Sequence, residues 1–183
     1  MHALHWPYFF DILEMLNNII FGGKMPEKKK KVQNLGLMRK GDKILLAKKK
    51  RGFGAGWWNG YGGKLEEGES IEEALIREIK EEAGVLALLN QKRGILNFEF
   101  KDADEDVEVH VYEILEYEGE PTESEEMIPQ WFHVSEIPFA EMWPADSKWL
   151  PLFLDGKTFK GRFVFGPGYE ILEKEIGEVL ELE

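Results

Sequence analysis

The stretch GGKLEEGESIEEALIREIKEEAGV, residues 62–85, carries the strongest helix signal in the chain. Ser70 and Glu73 stand at the spacing of a capping box, in which each side chain accepts a hydrogen bond from the other residue's backbone N–H. Gly84 is placed to end the helix in the left-handed conformation that glycine commonly adopts there. The stretch therefore predicts a helix from Ser70 to Ala83. Apolar residues recur within it at a spacing of four, at Ile71, Leu75 and Ile79.

The same helix carries three carboxylates on one face, because Glu81 and Glu82 lie three and four residues after Glu78. Like charges at these spacings destabilise an isolated helix, and the single Arg77 does not neutralise three acids. Most acidic runs of this kind are solvated faces. Hard divalent cations also prefer oxygen ligands of this kind, so the helix alone leaves both interpretations open.

The composition excludes several classes of function. The 183 residues suffice for one domain with a sizeable core, and no interior segment resembles a linker. The absence of cysteine excludes thiol catalysis, disulfides and cysteine-bound zinc, and is compatible with a reducing cytoplasm. The net charge of −12 argues against nucleic-acid binding. A small phosphorylated substrate would require divalent cations or local Lys and Arg side chains to offset this charge.

The first 24 residues are apolar, but they contain Asp11 and Glu14 and lack a basic start. They therefore match neither a signal peptide nor a membrane span. The charged stretch MPEKKKK follows from Met25 and precedes the first strand-like run. We expect residues 1–24 to be an N-terminal extension or a start artefact, and residues 25–183 to form the functional domain.

The remaining elements are mostly strands. DVEVHVYEIL, residues 106–115, alternates valines with polar side chains and predicts a strand with one buried face. A short helix is predicted at Lys148–Leu154, with Ser147 or Asp146 as N-cap, and an acidic tail at Glu173–Glu181. Strands before and after one strong helix predict an α+β fold, a mixed β-sheet covered by helices on both faces (α/β/α). Further strands are predicted at Val32–Met38, Lys43–Lys48, Gly94–Phe100, Gln130–His133 and Arg162–Phe165.

A glycine-rich segment, RGFGAGWWNGYGGK at residues 51–64, directly precedes the predicted helix. Its many glycines indicate backbone that is left-handed or closely approached by another group. The segment lacks the GxxxxGK[ST] pattern of a P-loop. It is also no dinucleotide fingerprint, because Trp57-Trp58-Asn59 has the pattern of a strand and not of an opening helix.

From Gly63 to Val85 the chain follows the spacing G-x5-E-x7-R-E-U-x-E-E-x-G-U, where U is aliphatic, without a departure. This pattern resembles the Nudix box, the signature of the Nudix family, which hydrolyses nucleoside diphosphates linked to another moiety. The resemblance implies the Nudix fold and a pyrophosphohydrolase that uses Mg²⁺, or Mn²⁺ in its place. It places four groups in the metal shell: the carbonyl of Gly62 and the carboxylates of Glu78, Glu81 and Glu82.

The Nudix resemblance also implies individual roles around the metal. Glu82 is expected to be the principal ligand, Arg77 to orient the carboxylates and Glu69 to support them. The general base that deprotonates the attacking water stays open between Glu78 and Glu81.

Segments outside the box resemble the MutT-homologue branch of the family, the oxidised-purine nucleoside triphosphate diphosphatases. These enzymes cleave nucleotides such as 8-oxo-dGTP to the monophosphate and pyrophosphate, which sanitises the nucleotide pool. The resemblance implies a cytoplasmic monomer that acts on small nucleotides, without nucleic acid or membrane as a partner. It runs from Val32 to Leu172 and rests on KKRGFGAGWWNGYGGK (49–64), FEF (98–100), DVEVHVY (106–112), GEPTESEEM (119–127) and IPFAEMWPADSKWLPLFL (137–154).

Two alternatives remain at this point. One is a Nudix hydrolase for another nucleotide, such as a dinucleoside polyphosphate or ADP-ribose. The other is a non-catalytic Nudix module that binds nucleotide, although such a module would be free to lose a carboxylate of the box.

The second resemblance implies a substrate pocket around Asn59, which would give one donor and one acceptor to the purine edge. Trp143 would stack on the base, with Pro144 beside it, and Glu126 would join the metal from outside the box. Asn34 takes a strand position where the relatives carry a small hydroxyl residue. Four residues would wall the site: Phe53, Phe98, Phe100 and Met127. The phosphate path would involve Lys49, Lys64 and the backbone of Tyr61, Gly62 and Gly63.

Two groups of these residues also have simpler interpretations. Phe98, Phe100 and Met127 have the composition of ordinary core. Lys49 is equally compatible with a solvated turn.

One position departs from the pattern of the branch. Ala145 stands where the relatives carry a second Asp beside the one that corresponds to Asp146. Two adjacent carboxyl groups in an apolar pocket raise each other's pKa and can share a proton, whereas a lone carboxyl is expected to be ionised more of the time. An ionised Asp146 only accepts hydrogen bonds, which matches the N1–H and amino group of a guanine-type edge. We therefore expect a preference for 8-oxo-dGTP over 2-oxo-dATP.

Overall fold

The computed structural model describes residues 28–182. The prediction for residues 1–24 lies outside this range and stays a prediction. Two α-helices are described, α1 at Ile71–Ala83 and α2 at Asp146–Leu154. Neither helix of the described range has the length and apolar character that a bilayer crossing requires. The strands are β1 Lys29–Lys40, β2 Lys43–Lys49, β3 Trp58–Asn59, β4 Leu86–Phe100, β5 Glu105–Glu118, β6 Met127–His133, β7 Phe159–Phe165 and β8 Ile171–Glu178.

The strands form one mixed sheet in the order β3-β2-β1-β5-β4-β7-β8, with β6 paired to β2. β1 pairs with β5 in parallel, and β4 pairs with β7 in parallel. The β2–β6 register sets Lys49 opposite Met127, which brings Lys49 beside Glu126. The glycine-rich segment returns to β1 through bridges from Tyr61 to Gly36 and from Lys64 to Gln33. This topology brings Lys49 and the glycine-rich segment to the same side of the sheet.

Each face of the sheet buries its own core. Leu75 and Ile79 of α1 pack on one face with Met38 and Tyr112. On the other face, α2 packs against phenylalanines of β7. Gly36 of β1 lies directly under α1, because a Cβ there would come within 2.7 Å of the Ile79 side chain. The predicted mixed sheet with helices on both faces is therefore confirmed.

Two predictions of local structure are wrong. The helix α2 begins two residues earlier than predicted, and its N-cap is Ala145, which supplies no side-chain cap. Ser147 instead donates its hydroxyl to the carbonyl of Pro144. The predicted acidic tail forms β8, antiparallel to β7, because Ile176 packs over Gly161 while the glutamates stay exposed.

Candidate active site

The carboxylate helix is fixed at both ends. At its start the backbone N–H of Glu73 donates to the Ser70 hydroxyl at 3.3 Å, and the N–H of Ser70 donates to the Glu73 carboxylate at 2.8 Å. At its end Gly84 has φ 75° and donates its N–H to the carbonyl of Lys80. Both predicted caps are confirmed. Since these local bonds define the limits of α1, the rotation of its acidic face is set by the packing of Leu75 and Ile79 on the sheet.

Glu82 is the buried member of the acidic face, with 5% of its surface exposed. The N–H of Gly62 donates to its Oε2 at 2.9 Å, and the ammonium of Lys49 lies 3.8 Å from its Oε1. The pKa of Glu82 is raised to about 7, chiefly by burial and to a smaller extent by the carboxylates of Glu78 and Glu126, while the N–H of Gly62 and the ammonium of Lys49 oppose the rise. The position therefore concentrates negative charge in a place that water reaches poorly.

Glu78 lies against the glycine loop. A Cβ on Gly63 would come within 2.6 Å of the Glu78 carboxylate, so only glycine leaves room for this contact. The preceding Gly62 has φ 148°, and a Cβ there would overlap the backbone of Asn34. The two glycines are therefore required by the close approach of the loop to β1 and α1.

Arg77 joins the loop to the helix. Its guanidinium donates to both oxygens of Glu69 at 2.7 and 2.9 Å, and to the carbonyl of Lys64 at 3.2 Å. It also donates to Glu78 at 3.0 Å, while Glu81 lies 3.5 Å away. The hydrogen bonds from Arg77 lower the pKa of Glu69 to about 2. Arg77 thus orients Glu78 through a planar, multiply bonded guanidinium, and its main partner is Glu69.

The metal shell implied by the sequence is partly assembled. Glu78 and Glu82 lie beside the loop, and Lys49 bridges Glu82 to Glu126, whose carboxylate lies 4.0 Å from the ammonium. The side chain of Glu81 is largely exposed, and within the described range its ion-pair partner is Arg77. Among residues 28–182 no three acidic or imidazole groups converge with the geometry of a metal cluster. The donors nevertheless fit a hard divalent cation by their chemistry, since all are oxygens and the burial of Glu82 among other acids calls for a compensating positive charge.

Other residues of the phosphate side are engaged by the fold. The backbone N–H of Tyr61 donates to the carbonyl of Gly36 at 2.9 Å, so this group is used in the bridge to β1. Asn34 is buried and donates both its backbone N–H and its side-chain amide to the carbonyl of Gly63. Its Oδ1 has no hydrogen-bond partner within the described part of the chain. Lys64 is exposed, and Met127 lies in the core beneath α1.

Asp146 is the buried carboxyl on the other side of the site, with 4% of its surface exposed. The indole N–H of Trp149 donates to its Oδ1 at 2.9 Å, whereas its Oδ2 has no partner among residues 28–182. Burial raises the pKa of Asp146 to about 7. This differs from the expectation of a carboxylate that is mostly ionised, because desolvation acts even without a second acid. The pairing with Trp149 was not predicted, although a Trp three residues after an acid at a helix start is a signal that could have shown it.

Trp143 stands in a group of aromatic rings. Phe53 stacks on it with ring centroids 4.9 Å apart, and 69% of the Phe53 surface is exposed. Trp57 and Tyr169 also contact it, with centroids 4.4 and 5.0 Å away. The sequence predicted Phe53 and Trp143 for this site but missed Trp57 and Tyr169. No local pattern joins these positions, which come from separate loops.

The remaining pocket residues combine packing with partial exposure. Phe98 and Phe100 pack against phenylalanines of β7, with Phe100 stacked on Phe165 at 5.4 Å, and both stay half-buried. Asn59 pairs with β2 through Ala47, and its Oδ1 accepts the N–H of Gly60 at 2.9 Å. A carbonyl oxygen has a second lone pair, so this bond leaves the amide able to accept and to donate.

Comparison with known proteins identifies the class to which this fold and site belong. A model of the NUDIX domain matches residues 29–153. Oxidized purine nucleoside triphosphate hydrolases from Mus musculus and Danio rerio are each 46% identical to the chain, over 81% and 83% of its length and 96% and 97% of theirs. A crystal structure of the MutT mutator protein from Bacillus halodurans superposes with a TM-score of 0.68 at 28% identity, covering 80% of this chain and 97% of that one.

These likenesses define a Nudix hydrolase. The chain belongs to the Nudix family, which confirms the resemblance drawn from the spacing of its carboxylate helix.

Proposed function

We propose that the protein hydrolyses oxidised purine nucleoside triphosphates, such as 8-oxo-dGTP, to the nucleoside monophosphate and pyrophosphate. The observation that carries the proposal is the combination of a complete Nudix box with an aromatic site that contains a buried carboxyl, Asp146. The mouse and zebrafish relatives, named for hydrolysis of oxidized purine nucleoside triphosphates, support it because the likeness covers nearly their whole length. The proposed role in the cell is to sanitise the nucleotide pool.

The phosphate side of the site is proposed to act with Mg²⁺, or with Mn²⁺ in its place. Glu78, Glu82 and the carbonyl of Gly62 would hold the cation, with Glu126 and Glu81 as further oxygen donors. When bound, the cation would neutralise charge on the triphosphate and make an attacking water more acidic.

The chain's own residues are proposed to position the reaction. Arg77 keeps Glu78 in place through its bonds to Glu69 and to the loop. Lys49 lies between Glu82 and Glu126, where its ammonium can also attract a phosphate oxygen. The proton of the attacking water is taken by a carboxylate of the helix, either Glu78 or Glu81.

On the base side, Trp143 is proposed to stack on the purine, beside Pro144 and Phe53. Asn59 and Asp146 contact the hydrogen-bonding edge of the base. Asn59 is half-buried and its amide oxygen keeps a second lone pair, and Asp146 is buried with an Oδ2 that has no partner among residues 28–182. Ala145 is buried next to Asp146, so the site reads the base with one carboxyl.

The test is release of pyrophosphate from 8-oxo-dGTP, compared with dGTP, in Mg²⁺, in Mn²⁺ and with a chelator. We expect metal-dependent release of pyrophosphate and monophosphate, with a clear preference for the oxidised nucleotide. Faster cleavage of ADP-ribose or of a dinucleoside polyphosphate would assign the chain to another substrate class. Binding of 8-oxo-dGTP without cleavage in either metal would indicate a non-catalytic module.

We further propose that the enzyme acts as a cytoplasmic monomer on free nucleotides. The net charge of −12 supports action on free nucleotides and not on nucleic acid, because an acidic surface repels nucleic acid. Light scattering coupled to size exclusion should give the mass of one chain, and a labelled DNA duplex should show no binding at physiological salt.

A further inference from the structure

Two aromatic side chains outside the predicted site surround the ring that is proposed to stack on the base. The planes of Trp57 and Tyr169 stand at 68° and 86° to the plane of Trp143, in T-shaped arrangements. The two rings also contact each other, with centroids 6.1 Å apart. Phe53 stacks on Trp143 from the glycine-rich segment. The indole of Trp143 is therefore held by three rings that arrive from two distant parts of the chain.

The backbone of Tyr169 is unusual. It is the one non-glycine residue in the described range with a positive φ, 63°, and it follows Gly168, whose φ is 67°. The left-handed region crowds the Cβ of a tyrosine, while glycine adopts it without strain. A glycine at this position would make the same turn more easily. What tyrosine adds is its ring, which contacts Trp143, Trp57, Phe53 and Phe100.

Such an arrangement matters for binding because a stacking ring that is already oriented loses less freedom when the ligand arrives. Trp143 is only partly buried, so the core alone does not fix its orientation. T-shaped aromatic pairs are favourable beyond the area that they bury. The contacts from Trp57 and Tyr169 supply the lateral restraint that the core does not.

We propose that Trp57 and Tyr169 are positioning residues of the base site, which hold the indole of Trp143 in the orientation in which it stacks on the purine. The proposal rests on the proposed function, since it assigns the pair a part in binding the oxidised purine. Neither ring lies near the carboxylate helix in the contacts described above. Loss of either ring is therefore expected to raise KM and to leave kcat nearly unchanged.

The first experiment compares Tyr169→Phe, Tyr169→Ala and Tyr169→Gly with 8-oxo-dGTP as substrate. The Ala and Gly variants should raise KM roughly five- to tenfold, an effect within the range for losing the one aromatic contact with Trp143, and the Phe variant should keep the wild-type KM. The Gly variant should melt at or above the temperature of the Ala variant, because glycine relieves the left-handed backbone. Tyr117→Ala, a half-buried ring of β5, is the matched control and should keep the wild-type KM. If the Ala and Gly variants keep KM within about twofold of wild type, the positioning role is overturned.

A second measurement does not depend on the substrate. Trp57 and Trp143 lie close enough for their indoles to couple in circular dichroism. The couplet should be present in the wild type and in Tyr169→Phe, weakened in Tyr169→Ala and absent in Trp57→Phe. An unchanged couplet in Tyr169→Ala would overturn the positioning role even if 8-oxo-dGTP is cleaved. Failure of the wild type to cleave any oxidised purine triphosphate would instead overturn the proposed function, whatever the couplet shows.

Discussion

The two sides of the site are built by different means. On the phosphate side, most of the groups come from one helix and the loop before it, where short polar contacts such as Arg77 with Glu69 hold them together, and Lys49 and Glu126 join them from elsewhere in the chain. On the base side, Phe53, Trp143 and Tyr169 come from three segments far apart in sequence and meet through aromatic packing. Local helix and loop geometry thus positions most of the charged groups, whereas tertiary packing positions the rings that are proposed to contact the base.

This difference teaches where substitutions act. A carboxylate of the helix is expected to govern the rate of the chemical step, because it contributes to charge compensation at the reacting phosphate. A ring of the base side is expected to govern the affinity for the nucleotide. The buried Asp146 lies on the base side but titrates, so it should connect selectivity and stability to pH.

The largest effect is expected from Glu82→Gln. Glutamine can still accept the N–H of Gly62, so the fold should persist, but the charge that holds the cation is lost. We expect kcat to fall at least about 100-fold, with little change in melting temperature. Steady-state pyrophosphate release and calorimetry measure the two quantities.

The matched control for this substitution is Glu116→Gln, an exposed glutamate of β5, which should keep the wild-type kcat. If Glu82→Gln kept more than about a tenth of the wild-type kcat, the barrier would have changed by less than about 1.4 kcal/mol, and Glu82 would not be central.

The next effect is expected from Trp143→Ala on the base side. Stacking of a base on an aromatic ring contributes roughly 1–3 kcal/mol, so KM for 8-oxo-dGTP should rise about 10- to 100-fold. The value of kcat should change little, in contrast to Glu82→Gln. Trp143→Phe keeps a stacking ring and should recover most of the loss. An equal fall of kcat in both Trp143→Ala and Glu82→Gln would erase the distinction between the two sides.

The same contrast explains what the sequence could predict. The capping box, the limits of α1 and the position of Gly84 followed from spacing, because a helix is a local structure with a fixed period. The family followed from the same spacing. Trp57 and Tyr169 could not be placed, because their contacts to Trp143 depend on how distant loops meet.

The pKa of Asp146 could not be predicted from the sequence either. The spacing showed that Asp146 lacks an acidic neighbour, but it did not show how deeply the residue is buried. Burial raises its pKa to about 7, so it changes charge near neutral pH. Likewise, the sequence predicts an acidic tail at Glu173–Glu181, and the packing of Ile176 over Gly161 shows why the first part of this segment is a strand.

A smaller effect is expected for selectivity. As pH rises through about 7, Asp146 passes from donor to acceptor, which favours the guanine-type edge. The ratio of kcat/KM for 8-oxo-dGTP to that for 2-oxo-dATP should therefore rise several-fold between pH 6 and pH 8 (about one unit on each side of the pKa). Ala145→Asp adds a second carboxyl that can share a proton, so its ratio should be smaller. If the ratio for the wild type is near one at both pH values, the preference for 8-oxo-dGTP is refuted. If the ratio is above one but does not change between pH 6 and pH 8, Asp146 is not the cause of the preference.

The smallest effect concerns stability. The pKa of Asp146 is 3.8 in a model peptide and about 7 in the folded protein, so the folded state binds the proton more tightly than the unfolded state. The stability of the wild type should therefore fall as pH rises from near 4 to near 7, and this contribution should stay constant above about 7. Asp146→Asn does not titrate and still accepts from Trp149. Between pH 5 and pH 7, its free energy of unfolding should rise by at least about 1 kcal/mol relative to that of the wild type, as measured by urea denaturation. Ser147→Ala, next to it in α2, should follow the wild-type slope, and parallel curves for all three proteins would show that Asp146 is ionised in the fold.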